Sequence, residues 1–271
     1  MRGSSLEMSA RDPGAVAACA AGLEPGASIF LNFGPRDSWA GVAAAAAGIR
    51  RAGFNPVPHL AARYFEGRAA LANFLARAHG EAAIEEALLV GGDIDRPLGP
   101  YASSLQLLET GLLERHGIRR IAIAGYPEPH PRIAAATIAE ALHAKLTCAA
   151  AAGLEVSLVT QFCFEAAPII LWLRALRQHG VTAPVRIGLA GPASIASLTR
   201  FALRCGIGPS LRALARGNYG RLLFEVGPEP IIATLASSDD GDLRIAGLHF
   251  FTFGGVARTA AWRAAILADQ S

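Results

Sequence analysis

Eight short apolar runs, each followed by a stretch that reads as helix, constrain this chain more than any other feature. The runs cover 5–9, 28–34, 56–61, 87–93, 120–126, 156–164, 185–190 and 243–253. Helices are predicted between and after them over 14–23, 38–52, 69–79, 103–116, 134–152, 167–179, 194–205 and 257–269. Glycines follow several of these helices, at Gly53, Gly80, Gly117, Gly153 and Gly180, where a left-handed residue closes a helix C-terminus. A helix between every two strands makes the strands parallel, and eight of them favour a closed barrel over an open sheet. The extra length between 206 and 242 predicts one or two further helices, over 211–226 and 228–235. The fold class expected is α/β, a single-domain (β/α)8 TIM barrel spanning 1–271 with extra helices before the last strand.

Length and composition agree. The chain has 271 residues, and such a barrel takes roughly 250. Hydrophobic residues make up 52% and charged ones 17%, which supports a large core and excludes a disordered chain. Apolar stretches break well before the roughly 18 residues that a membrane span needs, and the start, MRGSSLEMSARDP, has no apolar signal region. A cytoplasmic protein is expected. The four cysteines lie far apart without metal-ligand spacing, so no metal site is expected. The net charge of +3 is spread along the chain, which argues against nucleic-acid binding. A homo-oligomer is compatible with this composition.

Chemistry concentrates where the apolar runs end. Gly91-Gly92-Asp93 closes the run Ala87-Leu88-Leu89-Val90; Gly125-Tyr126-Pro127-Glu128-Pro129-His130-Pro131 follows the fifth run; Thr160-Gln161-Phe162 follows the sixth. Polar groups gathered at the carboxyl ends of parallel strands are how a barrel builds an active site. Each feature also has a bland reading. Asp93 can cap the next helix, Glu7 can be a surface acid, His59 a core histidine and Tyr101 a packing residue. Gly254-Gly255 sits where late barrel loops often hold phosphate, or forms only a turn. No G-x-G-x-x-G opens a helix after a strand, which disfavours a Rossmann site.

The phrases VGGD at 90–93, YASS at 101–104, AGYPEPHP at 124–131 and TQFCFE at 160–165 occur in an order and spacing that resembles the methylenetetrahydrofolate reductase family. The resemblance spans about 6–253. It implies an oxidoreductase of one-carbon metabolism that interconverts 5,10-methylenetetrahydrofolate and 5-methyltetrahydrofolate, with NAD(P)H as hydride source. By that resemblance Glu7 is the ring-opening acid and Asp93 the acid that binds the pterin. Gln161 contacts the pterin; Phe162 beside it is a candidate substrate contact on its own chemistry, as a ring face. Asn32, His59, Gly92, Tyr101, Tyr126, His130 and Lys145 line the cofactor site.

The chain departs from the flavin-using pattern in three places. Gly91 stands where those members carry Arg, Lys145 alone remains of a cationic pair, and Asn32-Phe33-Gly34-Pro35 replaces the second-strand motif. Hydride transfer through FAD and transfer directly from the nicotinamide both remain open. A second reading is a folate-binding protein or methyl-transfer partner without reductase activity. A third is a lyase or hydrolase that uses Asp93 and Glu128 as an acid/base pair.

Under the leading reading each group has a physical task. A carboxyl at an apolar barrel mouth has its pKa raised by desolvation, so Glu7 is expected to hold a proton for the substrate ring. Asp93 offers a carboxylate to the paired N–H donors of the pterin edge. Gln161 both donates and accepts, and Tyr126 and Phe162 present ring faces for stacking.

Overall fold

The computed structural model describes residues 3–205, 225–238 and 241–268. Eight parallel strands close into one barrel: β1 (Ser5–Ser9), β2 (Ser28–Asn32), β3 (Asn55–Ala61), β4 (Glu86–Val90), β5 (Arg120–Gly125), β6 (Glu155–Thr160), β7 (Val185–Ala190) and β8 (Ile245–Phe251). Closure is made by β1 against β8, with Ser5 paired to His249 and Leu6 to Phe250. The helices are α1 (Ala15–Ala20), α2 (Trp39–Arg51), α3 (Arg68–Ala82), α4 (Ser104–Leu108), α5 (Ala135–Ala151), α6 (Ala166–Gln178), α7 (Ile195–Cys205), α8 (Glu229–Ser238) and α9 (Val256–Ala268). This is the (β/α)8 architecture that the alternation implies.

Side chains alternate across each strand. Leu6, Met8, Ile29, Leu31, Leu60, Ala87, Leu89, Ile121, Ile123 and Leu158 face outward into the main core beneath the helices. Phe30, Val57, Leu88, Ala122 and Val159 face inward and form a separate apolar plug inside the barrel. That plug fills the barrel interior with packed side chains, so polar groups above it gather at one end, the carboxyl mouth.

Three local expectations change. Gly80 lies inside α3, which runs to Ala82 and closes on left-handed Ala83. The helix expected over 103–116 breaks after Leu108; Gly111 has φ +64° and a single 3-10 turn, Glu114–His116, follows. The helix expected over 211–226 lies outside the described residues except for Glu225–Val226, which pair antiparallel with Ala193–Ser194. Among the described residues, no helix is long and apolar enough to cross a membrane.

Candidate active site at the barrel mouth

Glu7 sits in the middle of β1 and, by the alternation that sends Leu6 and Met8 outward, projects into the barrel beside Phe30 of β2. Three neighbours reach its carboxylate. Asn32 Nδ2 of β2 donates to Oε1 at 3.1 Å. His59 Nε2 of β3 lies 3.6 Å from Oε2, and His249 Nε2 of β8 lies 3.8 Å from the same oxygen. Thr252, just past β8, donates its hydroxyl to the Glu7 carbonyl at 2.8 Å and fixes the backbone. Phe30 packs its ring edgewise on both imidazoles, with centroids 4.6 Å from His249 and 6.2 Å from His59. Sequence-distant residues from β1, β2, β3 and β8 thus meet on one acid.

The electrostatics of this acid differ from the expectation. Burial is the largest single influence on Glu7 and raises its pKa. It is outweighed by the close approach of the His249 and His59 imidazoles and by the amide of Asn32, so the pKa lies below the ordinary 4.5. Glu7 is an ionised carboxylate near neutral pH, not a stored proton. Desolvation lowers His59 to about 4, against the opposing pull of Glu7, so its imidazole is neutral there. Both Nε2 atoms are buried, and neither has a partner within ordinary hydrogen-bond distance.

The rim carries the second acid. Gly92 has φ +97°, in the left-handed region, and a Cβ there would come within 3.3 Å of the Tyr64 ring. This turn delivers Asp93 to Tyr64, whose hydroxyl donates to Oδ1 at 2.6 Å. Phe33 lies edgewise to Tyr64, with centroids 5.0 Å apart, and stacks on Trp39 at 3.9 Å. Across the mouth, the rings of Phe251 and Phe253 lie 5.4 and 4.7 Å from Phe162, and Phe251 also meets His249 at 4.9 Å. Phe251 and Phe253 are half-buried. The mouth therefore has a carboxylate at depth, a carboxylate at the rim and aromatic rings on two sides.

Of the residues singled out from sequence, Glu7, Asn32 and His59 converge, and Gly92 and Asp93 form the rim turn. Tyr126 and His130 pack edgewise on the loop after β5, 5.2 Å apart. Burial raises the Tyr126 phenol; burial first, and the Arg132 charge second, lower His130. Gln161 is half-buried beside the mouth, and its Oε1 accepts from the Phe162 N–H at 3.1 Å.

Three residues do not take the places assigned to them. Tyr101 is buried in the main core, because the loop after β4 turns inward there. Phe162 is also buried, and its ring is taken up by Phe164, Phe251 and Phe253. Lys145 is ten residues into α5, a helix that runs back from the mouth, so it lies roughly 15 Å below the helix start. Burial lowers its pKa. Tyr101 and Lys145 therefore do not join the other expected cofactor-site residues at the mouth.

His249 and Ser5 were not identified from sequence. The signal was present in Gly247-Leu248-His249-Phe250-Phe251, whose period of two puts Gly247, His249 and Phe251 on the inner face, opposite Leu248 and Phe250 in the main core. Gly254 also gains a role there: a Cβ would lie 2.1 Å from the Pro192 carbonyl oxygen, so the glycine pair permits close backbone packing. Among the described residues, no group of His, Cys, Asp or Glu is arranged to hold a metal ion.

No protein-family profile matches the sequence. Among solved structures, the chain is similar to dihydropteroate synthase from Thermus thermophilus, with 13% identity, a TM-score of 0.54, and coverage of 99% of this chain and 94% of that one. It also aligns with Yersinia pestis dihydropteroate synthase bound to a pterin-sulfa conjugate, with 11% identity, a TM-score of 0.49, and coverage of 98% and 93%. At these identities the likeness concerns the fold. The expected activity of a methylenetetrahydrofolate reductase is corrected on this finding: the similar solved structure is named a dihydropteroate synthase, not a reductase.

Proposed function

We propose that the barrel mouth binds a pterin-bearing small molecule of the folate class, without a redox role for the protein. The observation that carries this reading is the inward-facing Glu7 carboxylate, gripped by Asn32 and faced by two imidazoles at the carboxyl end of a parallel barrel. A flat heterocycle with paired N–H donors suits such a place. Asp93, held by Tyr64 at the rim, supplies a carboxylate for the guanidine-like pterin edge, a charge-assisted contact. The half-buried Phe251 and Phe253 rings supply a stacking wall, and the Gln161 side chain lies beside it. Glu7, ionised at depth, accepts a proton or an N–H from the bound ring. A further support is the fold likeness to a protein whose name states that it makes dihydropteroate, itself a pterin compound.

The test is direct titration. Trp39 stacks on Phe33 and donates to the Tyr64 carbonyl, so its fluorescence reports on the rim. Tetrahydrofolate and pteroate are expected to bind in the micromolar range or tighter, about −8 kcal/mol, and p-aminobenzoylglutamate, which lacks the pterin, to bind far more weakly. Equal affinity for the fragment without the pterin, or no binding of any pterin compound, overturns the reading.

A further inference from the structure

Ser5 and His249 carry a relationship that ligand binding alone does not require. Ser5, fully buried, lies with Oγ 2.9 Å from His249 Nδ1. The other ring nitrogen, Nε2, faces Glu7 Oε2 at 3.8 Å. A serine, a histidine and a carboxylate thus stand in a row. The order is opposite to that of a hydrolytic triad, in which the serine is the exposed end and bonds Nε2. Here the serine is sealed inside the wall and the carboxylate is the end that faces the mouth.

The chemistry of the row fixes its protons. A neutral imidazole has one N–H and one lone pair. Were the proton on Nδ1, the Nε2 lone pair would face a carboxylate oxygen, two acceptors opposed in a buried place. With Ser5 donating its hydroxyl to Nδ1, the N–H sits on Nε2 and points at Glu7. The weaker alternative contact of Ser5, to the Leu248 carbonyl at 3.5 Å, competes poorly with the 2.9 Å contact. The 3.8 Å gap leaves room for the ring and the acid to close as a ligand enters.

We infer that Ser5, His249 and Glu7 form one directional chain with its acid at the mouth, in which His249 is the positioning residue that presents Glu7 as the proton acceptor for the bound ligand. When a ligand N–H or O–H gives up its proton, it passes to a Glu7 carboxylate oxygen, and the His249 Nε2–H stays in place facing that acid. Among the described residues, the other groups facing Glu7 come from the neighbouring strands. Asn32 and Phe30 come from β2, His59 from β3, and Phe251 lies beyond His249 on β8. Ser9 is the remaining inward residue of β1. On β7, next to β8, the inward residues are Arg186, Gly188 and Ala190. Arg11, on the loop after β1, is paired with Asp37 at 2.9 Å. The chain rests on the folate-class reading only for the identity of its ligand.

The experiment therefore uses the ligand-free protein. Ring nitrogen shifts of 15N-labelled histidine are expected to show His249 as the neutral Nε2–H tautomer, and Ser5→Ala to mix the two tautomers. The carboxyl 13C titration of Glu7 is expected to move up by about one pH unit, a tenfold gain in proton affinity, in His249→Ala. In His249→Gln, whose amide N–H can still face Glu7, it should return most of the way. A far-UV spectrum accompanies each variant, and His249→Gln keeps the test open if His249→Ala fails to fold. An Nδ1–H tautomer in the native protein, or a Glu7 midpoint unmoved by every His249 variant, overturns the inference. Failure of pterin compounds to bind bears on the preceding proposal and leaves this one standing.

Discussion

Tyr64 and Asp93 are joined across two loops, with the phenol of the turn after β3 donating to the carboxylate of the turn after β4 at 2.6 Å. Arg63, next to Tyr64, extends the junction by donating to the Ile94 and Ala102 carbonyls at 3.0 Å each. The rim acid is thus aimed by its neighbours and not by its own loop alone. Tyr64→Phe removes the aiming contact and keeps the ring. It should weaken pterin binding by about 1 kcal/mol, roughly fivefold in Kd, with little change in thermal stability. Calorimetric titration beside a thermal melt checks both halves, and an unchanged Kd would show that Asp93 needs no aiming.

His59 makes stability depend on pH. Its folded pKa, about 4, lies below the ordinary 6.5 because burial disfavours the charged ring. The unfolded chain therefore binds more protons between those values. The stability contribution is fully present above about pH 6.5, declines as pH falls, and levels off below about 4, for a total of up to roughly 3 kcal/mol. Glu7, with its pKa lowered from 4.5, adds a loss of the same sign at the acid end. Urea midpoints measured from about pH 7 to about pH 4 should fall steadily in the native protein and flatten in His59→Gln. A parallel slope in both proteins would remove His59 as the cause.

Arg263 ties α9 to the residue before β1 and to the loop after α1. It is buried in α9, donates to Ser4 Oγ at 2.6 Å and to the Gly22 carbonyl, and grips both carboxylate oxygens of Glu24 at 2.8 and 2.6 Å. Gly22 permits this approach, since a Cβ there would lie 2.1 Å from the Ala260 carbonyl oxygen. Removing the guanidinium leaves a buried carbonyl and hydroxyl without their donor. Arg263→Ala should cost about 3 kcal/mol, seen as a lower denaturant midpoint at constant m. Arg263→Lys should recover less than half, because one ammonium cannot reproduce the planar fork.

Most strands were legible because burial on both faces writes near-continuous apolar runs, as at 87–90 and 121–124; the bounds 5–9 and 185–190 match β1 and β7 residue for residue, although only Leu6 and Met8 are apolar in the first. Helix interiors were legible too, whereas the break at Gly111 was hidden in a stretch whose Leu105, Leu108 and Leu112 read as one face. At the site, Glu7, Asn32 and His59 could be assigned to strands, but their meeting on one carboxylate depends on barrel closure, which local pattern does not encode. His249 was missed for that reason: it joins Glu7 only because β8 closes on β1, across 242 positions of sequence. The sign of the Glu7 shift was missed with it, since a lone buried acid rises and an acid faced by two imidazoles falls. Tyr101 and Lys145 went astray because sequence order after a strand does not say whether a side chain turns to the mouth or away.

Gly188 links the core to the aromatic wall. Its N–H donates to Thr160 Oγ1 at 2.8 Å, and a Cβ at this position would lie 2.1 Å from the Thr160 carbonyl oxygen and 2.8 Å from the Phe251 ring. No rotamer escapes a backbone oxygen, so β6 and β7 must separate or Phe251 must leave its place against His249. Gly188→Ala should cost about 3 kcal/mol, at the upper end for overpacking. It should also shift the His249 and Phe251 ring resonances and weaken pterin binding. Gly153→Ala is the control: its φ of +68° strains any side chain, but nothing lies within 4 Å of a Cβ there, so about 1 kcal/mol is expected with the mouth unchanged. If the two variants lose stability equally and neither moves the His249 signal, contact between Gly188 and the aromatic wall does not shape the site.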